Sequence, residues 1–407
     1  MTTQPLRIAI THPTCWPEIR RGSERLLHDL SHFLADRGHD VTVISTTEGH
    51  TRTETDGRVA RHLIARHHPL PVRTRWWNFF HAFGGQLRDH LMAERYDAVH
   101  CLNYHDAWGA LRARRRGARF RLVYQLTGIP VRRYFRRIPL DGLIFADVLR
   151  QADAVLAISR FALDRLRAEY GRPGLLVPAP TNTEPYRVEP RTSDPTRPTI
   201  LFVGDADEPR KGALLLARAF ADLAGRGLVH SLDYSGRAGD AIRSDVVEAL
   251  PETLRPRVTF HGLGRTEDLP ALYARASVVV NPAIWEAQGM VLVEALAAGT
   301  PVVGCDHAGT PDIVSDARIG RLFAPGPPAQ AASNLGGLVA AIEDALGLAR
   351  LPGTVALCRS HAAAFDWQRI GPAYEAALTG LPQIMPDRDS NTVMEAADGG
   401  SSQERAP

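Results

Sequence analysis

Two successive runs of short apolar segments, each segment followed by a helical stretch, constrain this chain more than any other feature. The first run predicts strands at Leu6–Thr11, Val41–Ser45, Ala98–Leu102, Arg121–Leu126 and Asp153–Ser159. Helices are predicted between them, from Ser23 to about Arg37, then over Trp76–Arg95, Ala107–Arg116 and Arg160–Tyr170. The second run opens at residues 199–204 and continues through Ser231–Ser235, Arg257–His261, Val278–Asn281 and Pro301–Cys305. Its helices are predicted at Ala213–Gly225, Leu269–Ala276 and Met290–Ala298. Strands that alternate with helices build βαβ units around parallel sheets, so the expected class is α/β. Between the runs, residues 175–198 hold six prolines (178, 180, 185, 190, 195, 198) and little periodicity, which predicts a linker. A chain of 407 residues is roughly two to three times the usual domain size, so two cores are expected.

Charge changes at the same place. Residues 1–180 contain 28 Arg against 17 Asp and Glu, whereas residues 181–407 contain 20 basic and 28 acidic residues. The expected division is a domain over 1–180, a linker over 181–198 and a second domain over 199–358. Residues 381–407, rich in Pro, Asp, Ser and Gly and poor in apolar residues, are expected to be disordered. The start of the chain does not read as a signal peptide, and no apolar stretch approaches the ~20 residues of a transmembrane helix. Cys15, Cys101, Cys305 and Cys358 are far apart, with no CxxC, and are expected to be buried thiols of a cytoplasmic protein.

Forty-seven of the 48 basic residues are Arg, and the exception is Lys211. Lysine offers a compact point charge that the planar guanidinium does not reproduce. Lys211 lies in the run Phe202-Val203-Gly204-Asp205-Ala206-Asp207-Glu208-Pro209-Arg210-Lys211-Gly212, which leads from a strand into a helix. Ligands of open α/β sheets bind at the carboxyl ends of strands, where helix N-termini suit phosphate. A cation there can neutralise a departing diphosphate. Asp205 and Asp207 have DxD spacing, yet the neighbouring lysine favours a site without metal. A second candidate is Arg21-Gly22-Ser23-Glu24, where Gly22 allows close approach and Ser23 is the predicted helix cap. The third is Glu286-Ala287-Gln288-Gly289-Met290-Val291-Leu292-Val293-Glu294, in which two carboxylates flank a glycine-opened helix. No GxGxxG opens either run, which speaks against a nicotinamide site.

At these three places the chain resembles family 4 of the glycosyltransferases, over nearly all of residues 6 to about 380. The most specific element is the E-x7-E pair Glu286 and Glu294, continued by Glu-Ala-Leu-Ala-Ala-Gly-Thr-Pro-Val-Val; the Asp-Glu-Pro-Arg-Lys-Gly run is similar to that of actinobacterial phosphatidylinositol mannosyltransferases. The resemblance implies a GT-B fold, two Rossmann-like doubly wound domains facing a cleft, with a C-terminal helix over 359–380 crossing back to the first domain. It implies a retaining glycosyltransferase without metal, with Lys211 and Glu286 as catalytic residues. The donor, a GDP- or UDP-linked sugar, would be held by Gly22, Arg210, Lys211, Gly289, Met290, Val291 and Glu294. In detail, Lys211 would bind the diphosphate, Glu286 the sugar and Glu294 the ribose.

Two positions depart from the family. Asp205 replaces an arginine beside the diphosphate, so that either Arg210 substitutes or the donor sits differently. Thr127 replaces a histidine, for which His100 or His105 would compensate. The expected acceptor is a specialised metabolite, lipid or saccharide, acidic or lipid-linked in view of the basic first half. That half also offers peripheral contact with an inner membrane face, through Arg132–Arg137 and the segment from Arg73 to Phe83. In the segment, Trp76, Phe80, Phe83, Leu87 and Leu91 recur at helical spacing and equally suit a core stripe. No nucleic-acid platform is evident. Competing readings keep the scaffold but use a sugar phosphate, epimerise a sugar nucleotide, or bind a sugar nucleotide without catalysis.

Overall fold

Every residue on β1 (Arg7–Thr11) beyond Arg7 is buried, and the chain folds outward from such strands. The computed structural model describes residues 4–66, 75–189, 191–326 and 334–380, with side chains at 75–78 left aside. The first half continues with α1 (Gly22–Asp36), β2 (Asp40–Thr47), β3 (Arg52–Asp56), β4 (Val59–Ala65), α2 (Arg75–Ala93), β5 (Ala98–Cys101) and α3 (Tyr104–Arg114). Then come β6 (Arg121–Leu126), α4 (Pro139–Gln151), β7 (Ala154–Ala157), α5 (Arg160–Tyr170) and β8 (Leu175–Leu176). These strands form one sheet in the order β3-β4-β2-β1-β5-β6-β7-β8, parallel except for the β3–β4 hairpin at its edge. Ile8 registers with Val41 on one side and Ala98 on the other.

The second half holds β9 (Thr199–Val203), α6 (Ala213–Gly225), β10 (Ser231–Ser235), α7 (Asp240–Glu248), β11 (Val258–Gly262), α8 (Leu269–Arg275), β12 (Val278–Asn281) and α9 (Met290–Ala297). It ends with β13 (Val302–Cys305), α10 (Thr310–Ile313), β14 (Gly320–Phe323), α11 (Leu335–Leu348), α12 (Thr354–Ala362) and α13 (Trp367–Thr379). Its sheet is wholly parallel in the order β11-β10-β9-β12-β13-β14. That is the doubly wound Rossmann-like order, and it explains the strand composition: Val-Val-Val-Asn and Val-Val-Gly-Cys are buried on both faces. Strand order reverses at β1 in one sheet and at β9 in the other, placing the loops after β1, β5, β9 and β12 at the ligand-binding edges.

The end of the chain returns to the beginning. Helix α13 lies on α1 so closely that a Cβ on Gly371 would stand 2.3 Å from the Phe33 ring. Its Glu375 accepts hydrogen bonds from Arg37 and His39, and Arg121 donates to the Ala377 carbonyl. The boundary expected at 359 falls inside α12, a helix that packs on α9. The expected tail at 381–407 lies outside the described residues. In α2, Phe83, Leu87 and Leu91 are buried and Phe80 is partly so, a core stripe; Trp76 and the residues from 67 to 74 are not among those described. All four cysteines are buried and unpaired. Among the described residues, no helix is long and apolar enough to cross a membrane.

One expectation fails here. His100 is fully buried in the middle of β5, against Tyr374 of α13, and neither ring nitrogen has a hydrogen-bond partner among the described residues. Burial pushes its pKa down to about 3, so it is a neutral core residue and no substitute for a cleft histidine. The unfolded chain takes up a proton near pH 6.5 that the folded chain refuses, so stability must fall as pH falls below that value. Urea denaturation of His100→Leu and the parent between pH 6.5 and 5 should show the parent losing about 1 kcal/mol more per pH unit, the slope steepening towards about 1.4 at the acid end.

Candidate active site

The strand-to-helix turn after β9 brings the one lysine to the centre of the second half. Gly204 (φ +151°) and Gly212 (φ +73°) both occupy conformations that disfavour a side chain. A Cβ on Gly212 would also stand 3.1 Å from Pro282, so the Lys211 turn lies directly against the loop after β12. Lys211 Nζ donates to Glu286 Oε2 at 2.6 Å, and the two side chains are only 19% and 15% exposed. Such a pair, shielded but not sealed, presents a cation held in one place.

The loop carrying Glu286 is itself fixed. The Glu286 carbonyl accepts from the Gly309 amide, and Gln288 is buried with its amide group paired to both the N–H and the C=O of Ala179 in the linker, at 2.6 and 2.8 Å. Gly289 takes a left-handed turn (φ +97°) into α9, which no side chain caps. The first amides of a helix have no partner within it, so those near Met290 and Val291 are free to meet an anion. Facing them from the first half is the opening of α1, where a Cβ on Gly22 would come within 3.8 Å of Met290 Sδ. Gly22, Lys211, Glu286, Gly289, Met290 and Val291 thus meet where the two sheets' carboxyl edges approach each other.

Glu294 is different. Its carboxylate is buried in the second turn of α9 and accepts from Tyr273 Oη at 2.6 Å, with Tyr186 and Arg25 also facing it. Burial raises its pKa, against the opposing effects of Tyr273 and Arg25. Arg25, which pairs with Asp29 at 3.0 Å, also lines a hollow of about 520 Å³ between the halves, walled by Trp16 and Arg20 on one side and Arg265, Thr266 and Glu267 on the other. Neither Lys211 nor Glu286 lines it.

Several expectations change with the geometry. Ser23 does not cap α1: the N-cap is Arg21, and Ser23 Oγ donates instead to Glu24 Oε2 at 2.9 Å. Arg210 reaches the site's rim, bonding the Trp285 carbonyl at 3.0 Å, but its charge is paired with Glu208 at 2.8 Å. The guanidinium beside Asp205 is that of Arg237, at 2.7 Å, which also approaches Asp207 at 3.4 Å. Arg237 was missed in the sequence; its position in the Gly-Arg-Ala-Gly loop at the carboxyl end of β10 was the available signal. Glu24, which stands in the second candidate run without a role of its own, is buried at the opening of α1, held by Thr14 at 2.6 Å, with His12 at 4.0 Å. Burial lowers the pKa of His12, against the pull of Glu24. His105, unlike His100, stands at the opening of α3, with Nε2 at 3.5 Å from Asp141. Thr127 Oγ1 reaches the Leu102 carbonyl at 3.5 Å.

Known proteins match both halves. Residues 20–184 fit the family profile described as Glycosyltransferase Family 4, and residues 197–341 the one described as Glycosyl transferases group 1. The chain belongs to glycosyltransferase family 4. This family 4 chain is 34% identical over 206 residues to a D-inositol 3-phosphate glycosyltransferase of Mycolicibacterium gilvum, covering 50% of the chain and 44% of that relative. It is 36% identical over 150 residues to a phosphatidyl-myo-inositol mannosyltransferase of Mycobacterium tuberculosis, covering 36% and 38%. The matched stretch thus spans less than half the length of either relative. Among solved structures, the sucrose-phosphate synthase of Thermosynechococcus elongatus superposes with a TM-score of 0.76 at 22% identity, over 93% of this chain and all of that one. That likeness establishes the GT-B fold.

Gln288 joins the family 4 motif loop to the linker, and its loss would leave the buried N–H and C=O of Ala179 unpaired. Gln288→Leu should therefore lower unfolding stability by about 2–4 kcal/mol, measured by urea denaturation.

Proposed function

We propose that the chain transfers a sugar from a nucleoside-diphosphate sugar to an acceptor hydroxyl, with retention at the anomeric carbon and without a metal at the diphosphate. The observation that carries this reading is the Lys211–Glu286 contact at 2.6 Å beside the uncapped opening of α9. Charge develops on the diphosphate as the bond between the sugar and its oxygen breaks. A cation already oriented by Glu286, with helix amides alongside, stabilises that charge without reorganising when the bond breaks. The acceptor oxygen bonds the anomeric carbon on the face that the diphosphate leaves, and its proton passes to the departing phosphate oxygen. Glu286 would meet sugar hydroxyls on the open side of its carboxylate, and Glu294 the ribose after Arg25 or Tyr186 gives way.

Asp205 favours this reading over a sugar-phosphate or epimerase chemistry, because Arg237 compensates the carboxylate that would repel a diphosphate. In this reading the acceptor would meet the first half, where Arg132, Arg133, Arg136 and Arg137 are exposed beside Tyr134 and beside Leu140 and Leu143 of α4. A surface of that kind suits an acceptor bearing phosphate, held free or at an anionic lipid surface. The names of two relatives, a D-inositol 3-phosphate glycosyltransferase and a phosphatidyl-myo-inositol mannosyltransferase, agree with an anionic acceptor.

Thermal unfolding of the purified chain with UDP, GDP, ADP and dTDP should show a shift with one nucleotide that Lys211→Ala abolishes. With the corresponding sugar nucleotide, Lys211→Ala should reduce turnover ~10²–10³-fold while leaving the unfolding temperature of the free protein unchanged. Undiminished turnover in that variant would remove Lys211 from the mechanism.

A further inference from the structure

Further along α1 from Gly22, His28 and His32 are one helical turn apart and project together toward Asp56, the last residue of the edge strand β3. His28 Nε2 stands 3.7 Å from Asp56 Oδ2, and His32 Nε2 3.6 Å from Asp56 Oδ1. These separations are too long for hydrogen bonds. They match the spacing of atoms that share a small cation, since ligands at ~2.0–2.2 Å in a tetrahedron lie about 3.3–3.6 Å apart.

The second observation concerns the opposite side of each ring. His28 Nδ1 lies 2.9 Å from Asp29 Oδ1, and His32 Nδ1 lies 2.9 Å from the His28 carbonyl. Carboxylates and carbonyls only accept, so both Nδ1 atoms carry the proton. In the neutral rings the Nε2 lone pairs are then both directed at a carboxylate, an arrangement that a bound cation resolves. A carboxylate behind one ligand histidine and a carbonyl behind the other is the usual support of a metal-bound imidazole. Two guanidinium groups lie close by, Arg61, held by Glu54 at 3.0 Å and by the Trp16 carbonyl at 2.8 Å, and Arg25, held by the other oxygen of Asp29 at 3.0 Å.

We propose that His28, His32 and Asp56 form a binding site for a divalent transition metal of the zinc class, with Asp29 as the supporting carboxylate and water completing the coordination. Imidazole nitrogens select such ions over magnesium or calcium. The site clamps the β3–β4 hairpin, whose turn follows at Gly57, to the helix whose first turn borders the donor cleft. It is independent of the transferase reading and stands or falls without it.

The test uses the full chain without a histidine tag, stripped by chelator and titrated with Co(II), followed by visible absorption, and then with Zn(II) in competition. One equivalent of Co(II) should bind with ligand-field bands of a low-coordinate nitrogen–oxygen site, be displaced by Zn(II), and raise the unfolding temperature. Asp29→Asn should weaken binding by about 10–100-fold. His32→Ala and Asp56→Asn should weaken it further while keeping the parent's circular dichroism. His81→Ala, in the separate His81–His105–Asp141 group, should leave it unchanged. Absence of a bound equivalent, or binding equal in the parent and both ligand variants, would overturn the site and leave a protonated histidine–carboxylate contact in its place.

Discussion

The carboxylate of Glu375 holds the end of the chain against its beginning, and the juxtaposition of the two sheets depends on it. It is buried, as is His39, whose Nδ1 accepts from the Leu6 amide at 3.1 Å. That contact leaves the His39 proton on Nε2, from which it is donated to Glu375, while Arg37 supplies the compensating charge. Removing one partner of such a buried group is far more costly than removing a surface pair. The same helix is seated by Phe33 under Gly371 and by Arg121 on the Ala377 carbonyl. Behind it the linker is fastened twice, Thr181 to the Phe365 carbonyl and Thr183 to Asp366. With Gln288 on Ala179 as a third point, the opening of α9 is held facing the opening of α1.

The charge asymmetry has a structural use at this seam. Basic residues of the first half meet acceptors of the second: Arg37 with Glu375, the Arg160 amide and side chain with Asp312, and Arg20 with the Gly264 carbonyl. Within the site the opposite problem arises, since Asp205, Asp207 and Glu208 crowd the loop that leads to Lys211. Arg237 and Arg210 absorb those charges through short contacts and leave the lysine ammonium to Glu286. A flexible ammonium at a shielded position and guanidinium forks at the exposed rim is the division that their geometries favour.

Legibility in the sequence followed burial. The central strands β9, β12 and β13 are short, largely apolar runs closed by turns, and Ser231–Ser235, Val278–Asn281 and helix Ala213–Gly225 have the predicted bounds. Elements with mixed patterns were not read. The Arg-Thr-Glu-Thr-Asp strand β3 is an exposed edge with no apolar alternation, α4 follows a run of arginines, and α11 begins Leu-Gly-Gly, which weakens its helical signal. At the site, Lys211 stood out because arginine replaces it everywhere else, and the two glutamates because of their spacing around Gly289. What spacing could not convey is partnership. Only the fold brings Tyr273, Tyr186 and Arg25 to Glu294, or Arg237 to Asp205, from distant segments.

The two carboxylates of the motif are consequently unlike despite their shared helix opening. Glu286 sits on the loop before α9, partly exposed, its charge matched by the Lys211 ammonium. Glu294 sits eight residues later, sealed by phenols, with burial favouring its neutral form and Arg25 opposing that tendency from the other half of the molecule. A group in the first position can exchange partners with a polar ligand at little cost, because its solvent access is retained. A group in the second can do so only if Arg25 or a tyrosine moves, and Arg25 belongs to α1. A ligand that reached Glu294 by displacing Arg25 would thereby couple that carboxylate to the relative placement of the two halves.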